Sequence, residues 1–204
     1  ICLTVSGGHK QIELVKDYLS MELIGETIDD AAGEAFDKAA KLLGLPYPGG
    51  PLIDELSKAG DNSKFTFTFP KVGEFNYSFS GLKTQFLYFL QKEEKLNDKF
   101  IQQNLNDICA SYQEHIVNYL FIKLKKAVVH YNVKDVAIAG GVSANSCLRK
   151  KLAKTGKEEG WNTFIPEFEY CTDNAAMIAI TGLYKLEKGH ISNQSSTPSA
   201  RMKF

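Results

Sequence analysis

A chain of 204 residues, 44% of them apolar, can close a sizeable core as one domain, and 24 basic against 24 acidic residues exclude a general pull toward nucleic acid or membranes. Cys2, Cys109, Cys147 and Cys171 show no Cys-x-x-Cys spacing, which argues for free thiols over a disulfide framework or structural zinc site. No apolar run is long enough to span a bilayer, and no signal sequence is legible.

Residues 1–6, 11–17 and 21–27 read as three consecutive strands joined by short turns. The first turn, Ser6-Gly7-Gly8-His9, presents bare backbone amides of the kind that cradle phosphate oxygens, although plain chain reversal needs the same residues. Asp29 and Asp30 can cap a helix over 30–43, whose buried face runs through Ala31, Ala32, Ala35, Phe36, Ala39, Leu42 and Leu43. Asp30, Gly33 and Asp37 share its other face. Glycine in a helix costs about 1 kcal/mol relative to alanine, so something should approach closely at Gly33, with Asp37 one turn on as an acceptor.

Pro48-Gly49-Gly50-Pro51 makes a turn into a short helix over 52–58, within a segment, 46–96, that reads as an insertion beside the main alternation. Within it Phe75, Tyr77 and Phe79 read as core, and a second helix starts near Ser80. A long helix spans 97–130, with an apolar stripe from Ile101 through Leu124. A strand over 135–139 leads through Gly140-Gly141-Val142-Ser143-Ala144-Asn145 into a helix over 143–158, a strand-turn-helix arrangement suited to a ligand. A strand over 162–165 and a helix over 174–187 follow, and 191–204, rich in Ser, Asn and Pro, reads as a mobile tail. Lys125, Lys126, Arg149, Lys150, Lys151 and Lys154 could meet RNA phosphates, although a solvated helix face has the same composition.

Three strands followed by alternating helix and strand predict an α/β fold, a mixed sheet with flanking helices and a mainly helical insertion. That order is the ribonuclease-H-like lobe duplicated in the actin, Hsp70 and sugar kinase (ASKHA) superfamily.

SGGH, GETIDDAAGEAFDKAAKLLGLPYPGGP, FNYSFSGLKT, AGGVSAN and CTDNAAMIA, in this order, resemble the TsaD family, which makes threonylcarbamoyladenosine in tRNA and was formerly labelled O-sialoglycoprotein endopeptidase. The resemblance implies transfer of threonylcarbamoyl from its adenylate to N6 of the adenosine beside the anticodon in tRNAs reading codons that begin with A. By that resemblance Thr4, Val5, Ser6, Gly7 and Gly8 hold the phosphate and carbamoyl part, Asp37 takes ribose hydroxyls, and Gly50, Asp54 and Asn145 neighbour the same ligand, ATP or threonylcarbamoyl-adenylate. Read locally, Asp54 could be merely solvated and Asn145 could serve its helix start. Asp173 matches a ligand for one divalent metal, iron in the family with zinc as the alternative, although an aspartate before a helix is also a common cap.

The family's two histidine ligands form a His-x-x-x-His pair on a further lobe of about a hundred residues. Here His9, His115, His130 and His190 include no such pair, so the expectation is a second ASKHA-type lobe over 1–190, inactive alone, with the N-terminal lobe absent. The resemblance further implies tRNA and TsaB-like and TsaE-like partners, and a cytoplasmic setting. Two other functions stay open: a metal-dependent endopeptidase, for which no His-Glu-x-x-His motif is present, and a non-catalytic nucleotide-binding scaffold.

Overall fold

Short apolar strands that follow one another through tight turns pair antiparallel, and β1 (Cys2–Val5), β2 (Lys10–Asp17) and β3 (Ser20–Glu26) do so, with Leu3 opposite Ile12 and Gln11 opposite Glu26. The structure, a computed structural model, describes residues 1–7 and 10–198. On its other side β1 pairs in parallel with β4 (Asp135–Ala139), and β5 (Asn162–Phe164) extends the sheet in parallel, giving the order β3-β2-β1-β4-β5. Because β1 and β4 are parallel neighbours, their carboxyl ends open at one sheet edge, so the loops after Val5 and Ala139 start side by side.

Among the described residues six α-helices accompany the sheet: α1 (Ala32–Leu42), α2 (Gly49–Ser57), α3 (Ser80–Leu96), α4 (Phe100–Tyr131), α5 (Ser146–Glu159) and α6 (Ala175–Glu187). One cluster joins Leu3, Val5, Ile12, Val136 and Ile138 of the sheet to Phe36 of α1 and Ile116 and Leu120 of α4. Residues 46–96 feed the same cluster through Ile53, Tyr77, Phe79 and Phe86, so Tyr77 and Phe79, read as core, are buried in it, while Phe75 packs against it half-buried. The Tyr77 hydroxyl, fully buried, donates to the Leu120 carbonyl at 3.0 Å, which ties that segment to α4.

Several boundaries differ from the sequence reading. Residues 97–99 turn between α3 and α4 instead of opening the long helix, and α4 breaks at Asn104, where φ is −121° and the side-chain amide donates to the Phe100 carbonyl at 2.9 Å. A 3₁₀ turn, Gly141–Ala144, comes before α5, and α2 begins at Gly49, three residues early. Residues 191–198 run exposed without helix or strand, and 199–204 lie outside the described residues.

Asp29 is the clearest reassignment. It does not cap α1, which starts at Ala32 behind Ala31 with no side-chain cap; its carboxylate instead accepts from the Phe79 and Ser80 amides at 2.6 and 3.2 Å and from the Ser78 and Ser80 hydroxyls. It therefore closes the N-terminus of α3, fifty residues downstream. Burial works to raise the Asp29 carboxyl, but the hydrogen bonds from Ser78, Phe79 and Ser80 outweigh it and hold the group below its ordinary value of 3.8. A depressed carboxyl stabilises the fold in full above its unfolded pKa and loses that contribution as pH falls through the folded one. As the loss of a solvent-screened helix cap, Asp29→Ala is expected to cost about 1 kcal/mol at neutral pH, a difference that begins to narrow below about pH 4. Urea unfolding of both proteins across pH checks this; a gap that does not narrow in acid would refute it.

Candidate functional site

Three helix N-termini meet beside the loop after β1. α1 reaches it at Gly33, whose N–H donates to the Ser6 carbonyl at 3.3 Å; a Cβ at Gly33 would lie 2.8 Å from the Gly7 Cα. The close approach expected at this glycine is thus made by the chain's own loop. α2 arrives through Gly49 and Gly50, whose N–H groups donate to Asp37 Oδ1 at 2.8 and 3.4 Å. A Cβ at Gly49 would stand 2.2 Å from the Ala40 Cβ, so only glycine lets α2 come this near α1. α5 is capped by Asn145, whose Oδ1 accepts from the Leu148 N–H at 3.0 Å, and Asp54 of α2 accepts from the Ser146 N–H and hydroxyl at 3.1 and 2.7 Å.

Between these ends lies a pocket of about 410 Å³ that brings together Gly7, Asp37, Gly50, Asp54 and Asn145. Helix N-termini carry partial positive charge, which favours an anion, although the Gly33, Gly49, Gly50, Ser146 and Leu148 N–H groups are already donated within the chain. Asp37 Oδ2 has no partner among the described residues, which leaves one carboxylate oxygen to accept from a hydroxyl. Both Asp54 oxygens are held by Ser146. Asn145 is engaged at both ends, since its Nδ2 donates at 2.7 Å to Gln113 Oε1, and Gln113 Nε2 donates at 2.7 Å to the Ser57 hydroxyl. Asn145 thus serves its helix start and lines the pocket.

The remaining candidates are placed apart. The Thr4 hydroxyl donates to Glu13 at 2.9 Å, the Val5 side chain is fully buried in the core, and neither lines the pocket. Ser6 contributes its carbonyl to Gly33, and Gly8 lies outside the described residues. Asp173 is exposed. It is not the cap of α6, because Asn174 accepts from the Met177 N–H at 3.1 Å in that role, and the Asp173 carboxylate has no partner among the described residues. It is a free oxygen donor, but among the described residues no three metal-ligating side chains gather. His115 stacks on Phe69 at 4.4 Å, and burial lowers it to about 4 against a smaller opposing hydrogen bond with the Thr68 backbone. It stays neutral at pH 7, outside the pocket.

Sequence reasoning missed Phe36 and Glu55 in the lining and Gln113 behind Asn145. A buried glutamine amid the apolar residues of α4 was the available signal for the last. It also misjudged Arg149, whose guanidinium donates to the Ser143 and Pro166 carbonyls and lies 4.3 Å from the Phe168 ring, fastening two loops.

A family model described as TsaD, tRNA N6-adenosine threonylcarbamoyltransferase, matches residues 1–180. Proteins named tRNA N6-adenosine threonylcarbamoyltransferase from Riemerella anatipestifer and Thermosipho africanus are 55% and 52% identical over 98% and 96% of the chain. The chain spans 59% and 58% of their lengths. A crystal structure of full-length HypF in its phosphate- and nucleotide-bound form superposes with a TM-score of 0.67 at 14% identity, covering 94% of this chain and 34% of that one. With the five-stranded mixed sheet, that likeness gives the fold as ribonuclease-H-like, of the ASKHA type. Among the described residues no helix is long and apolar enough to cross a membrane.

Proposed function

The chain belongs to the TsaD family of tRNA N6-adenosine threonylcarbamoyltransferases, and from that premise we propose that its pocket holds the adenylate end of threonylcarbamoyl-adenylate. The observation that carries the reading is the convergence of three helix N-termini and the Gly7 loop on one pocket beside the uncommitted Asp37 oxygen. In this reading the phosphate sits against Gly7 and the helix ends, and Asp37 Oδ2 accepts from a ribose hydroxyl. Gly50 lets the ribose approach the backbone, while Asp54 and Asn145, both committed to α5, hold the wall.

The reaction is acyl transfer to tRNA. N6 of the adenosine attacks the carbamoyl carbon, the bond from that carbon to the phosphate oxygen breaks, AMP leaves with the electron pair, and the N6 proton passes to solvent. AMP is a good leaving group, so no covalent enzyme intermediate is needed. Asp173 would hold one position of a divalent cation, iron or zinc, with its other ligands from outside these 204 residues. Such a cation supplies Lewis acidity at the carbonyl. TsaB-like and TsaE-like proteins would assemble with the complete enzyme in the cytoplasm.

Gly7 and Gly141 supply the test. Among the described residues a Cβ at Gly7 would meet nothing within 4 Å and one at Gly141 only Thr172 Cγ2 at 3.8 Å, and neither residue has left-handed backbone, so packing against them does not require glycine at either position. Gly7→Val and Gly141→Val are expected to weaken AMP binding by about tenfold or more in calorimetry while the melting temperature holds. Unchanged affinity in both would remove the ligand from this pocket. In the complete enzyme the same variants should lose transfer of labelled threonine to tRNA, and wild type that cleaves glycophorin instead would favour the endopeptidase.

A further inference from the structure

Behind the wall formed by Asp54, Ser146, Asn145 and Gln113 lies a second pocket of about 430 Å³, between the C-terminal end of α2, the middle of α4 and the first two turns of α5. It is lined by four lysines, Lys58, Lys150, Lys151 and Lys154, against one carboxylate, Glu114. Lys151 is fixed, bonded to Glu114 at 3.0 Å and to Asn118, so it belongs to the wall and neutralises that carboxylate. Lys58 and Lys154 are exposed and form only short-range pairs along their own helices, to Glu55 and Glu158, which exchange readily with another anion. Lys150 has no carboxylate partner among the described residues, and it stands four residues before Lys154 on the same face of α5. Like charges at that spacing destabilise a helix, so the fold itself draws no benefit from this arrangement.

We propose that this pocket is a docking site for a backbone phosphate of the RNA substrate, held by Lys150 and Lys154 with Lys58 on the opposite wall. The proposal rests on the tRNA reading above and adds where the RNA lies. The two pockets lie on either side of the Asp54–Ser146 contact, so RNA anchored here is held next to the adenylate site. RNA is favoured over a free small anion because the cations stand at the exposed rim, where a polynucleotide gains from several phosphates at once.

The test is fluorescence anisotropy of an anticodon stem-loop RNA with the 204-residue chain across a salt series, beside calorimetry with AMP. Lys150→Ala with Lys154→Ala is expected to weaken RNA binding by about tenfold at low salt and to lower the salt slope by about 2. AMP affinity should stay at the wild-type value, and the Lys150→Arg with Lys154→Arg protein should bind RNA as wild type does. RNA affinity and salt slope unchanged in the alanine protein would overturn the site, as would a wild-type chain that binds no RNA at low salt. Inorganic triphosphate that binds through Lys150 without competing with RNA would assign the pocket to a small anion and also overturn the proposal. Loss of AMP binding by the wild type would instead count against the adenylate pocket and leave the RNA result to stand or fall by itself.

Discussion

Gly140→Ala is expected to cost the chain about 3 kcal/mol or more, the largest effect of any single methyl group added near the site. Gly140 has φ of +83° and ψ of 166°, a conformation almost confined to glycine, and a Cβ there would stand 2.4 Å from the Val5 carbonyl oxygen. That oxygen belongs to β1, which is paired in parallel with β4, so neither side can move without opening the centre of the sheet. Gly141→Ala, one residue on, meets only Thr172 Cγ2 at 3.8 Å and should change stability by less than about 0.5 kcal/mol. Chemical denaturation of the two variants decides the matter. A Gly140→Ala protein within about 1 kcal/mol of wild type would refute the steric argument.

Asp37→Ala is expected to lose nucleotide binding and stability together. Besides the acceptor role read from the sequence, Asp37 Oδ1 holds the Gly49 and Gly50 amides, and removing such a cap costs about 1 kcal/mol. Binding should fall further, because a lost hydrogen bond to a charged acceptor is worth about 1.5 to 3 kcal/mol, or roughly ten- to a hundredfold in affinity. Asp37→Asn separates the two contributions. Its amide oxygen can still accept from Gly49, so stability should be kept, while the amide nitrogen facing the pocket cannot accept from a ribose hydroxyl. Calorimetry with AMP beside thermal melting reads both; an asparagine protein that binds as wild type does would remove Asp37 from the ligand.

Much of the fold was legible because it is written in local pattern. Apolar alternation placed β1, β2 and β3, and the run Val136-Ala137-Ile138-Ala139 placed β4. The turn after β4 was also legible, and Gly7, Asp37, Gly50, Asp54 and Asn145 do meet in one pocket, although Gly49 and Gly50 open α2 instead of making a separate turn. What each residue does there was not legible. Asp29, Asp37 and Asp54 each satisfy the N-terminal amides of a helix other than the one they precede or lie in: α3, α2 and α5 respectively. A sequence shows a carboxylate near a helix start and suggests the adjacent helix, because capping is usually local. The helix that is actually capped depends on which orphan amides the packed core brings within about 3 Å, and that distance exists only after α1, α2 and α4 have closed on the sheet. The same holds for the adjacent glycines. Gly140 and Gly141 are identical in sequence, yet one is required by the carbonyl of a neighbouring strand and the other faces open space beside a pocket, a difference set by the pairing of β1 with β4.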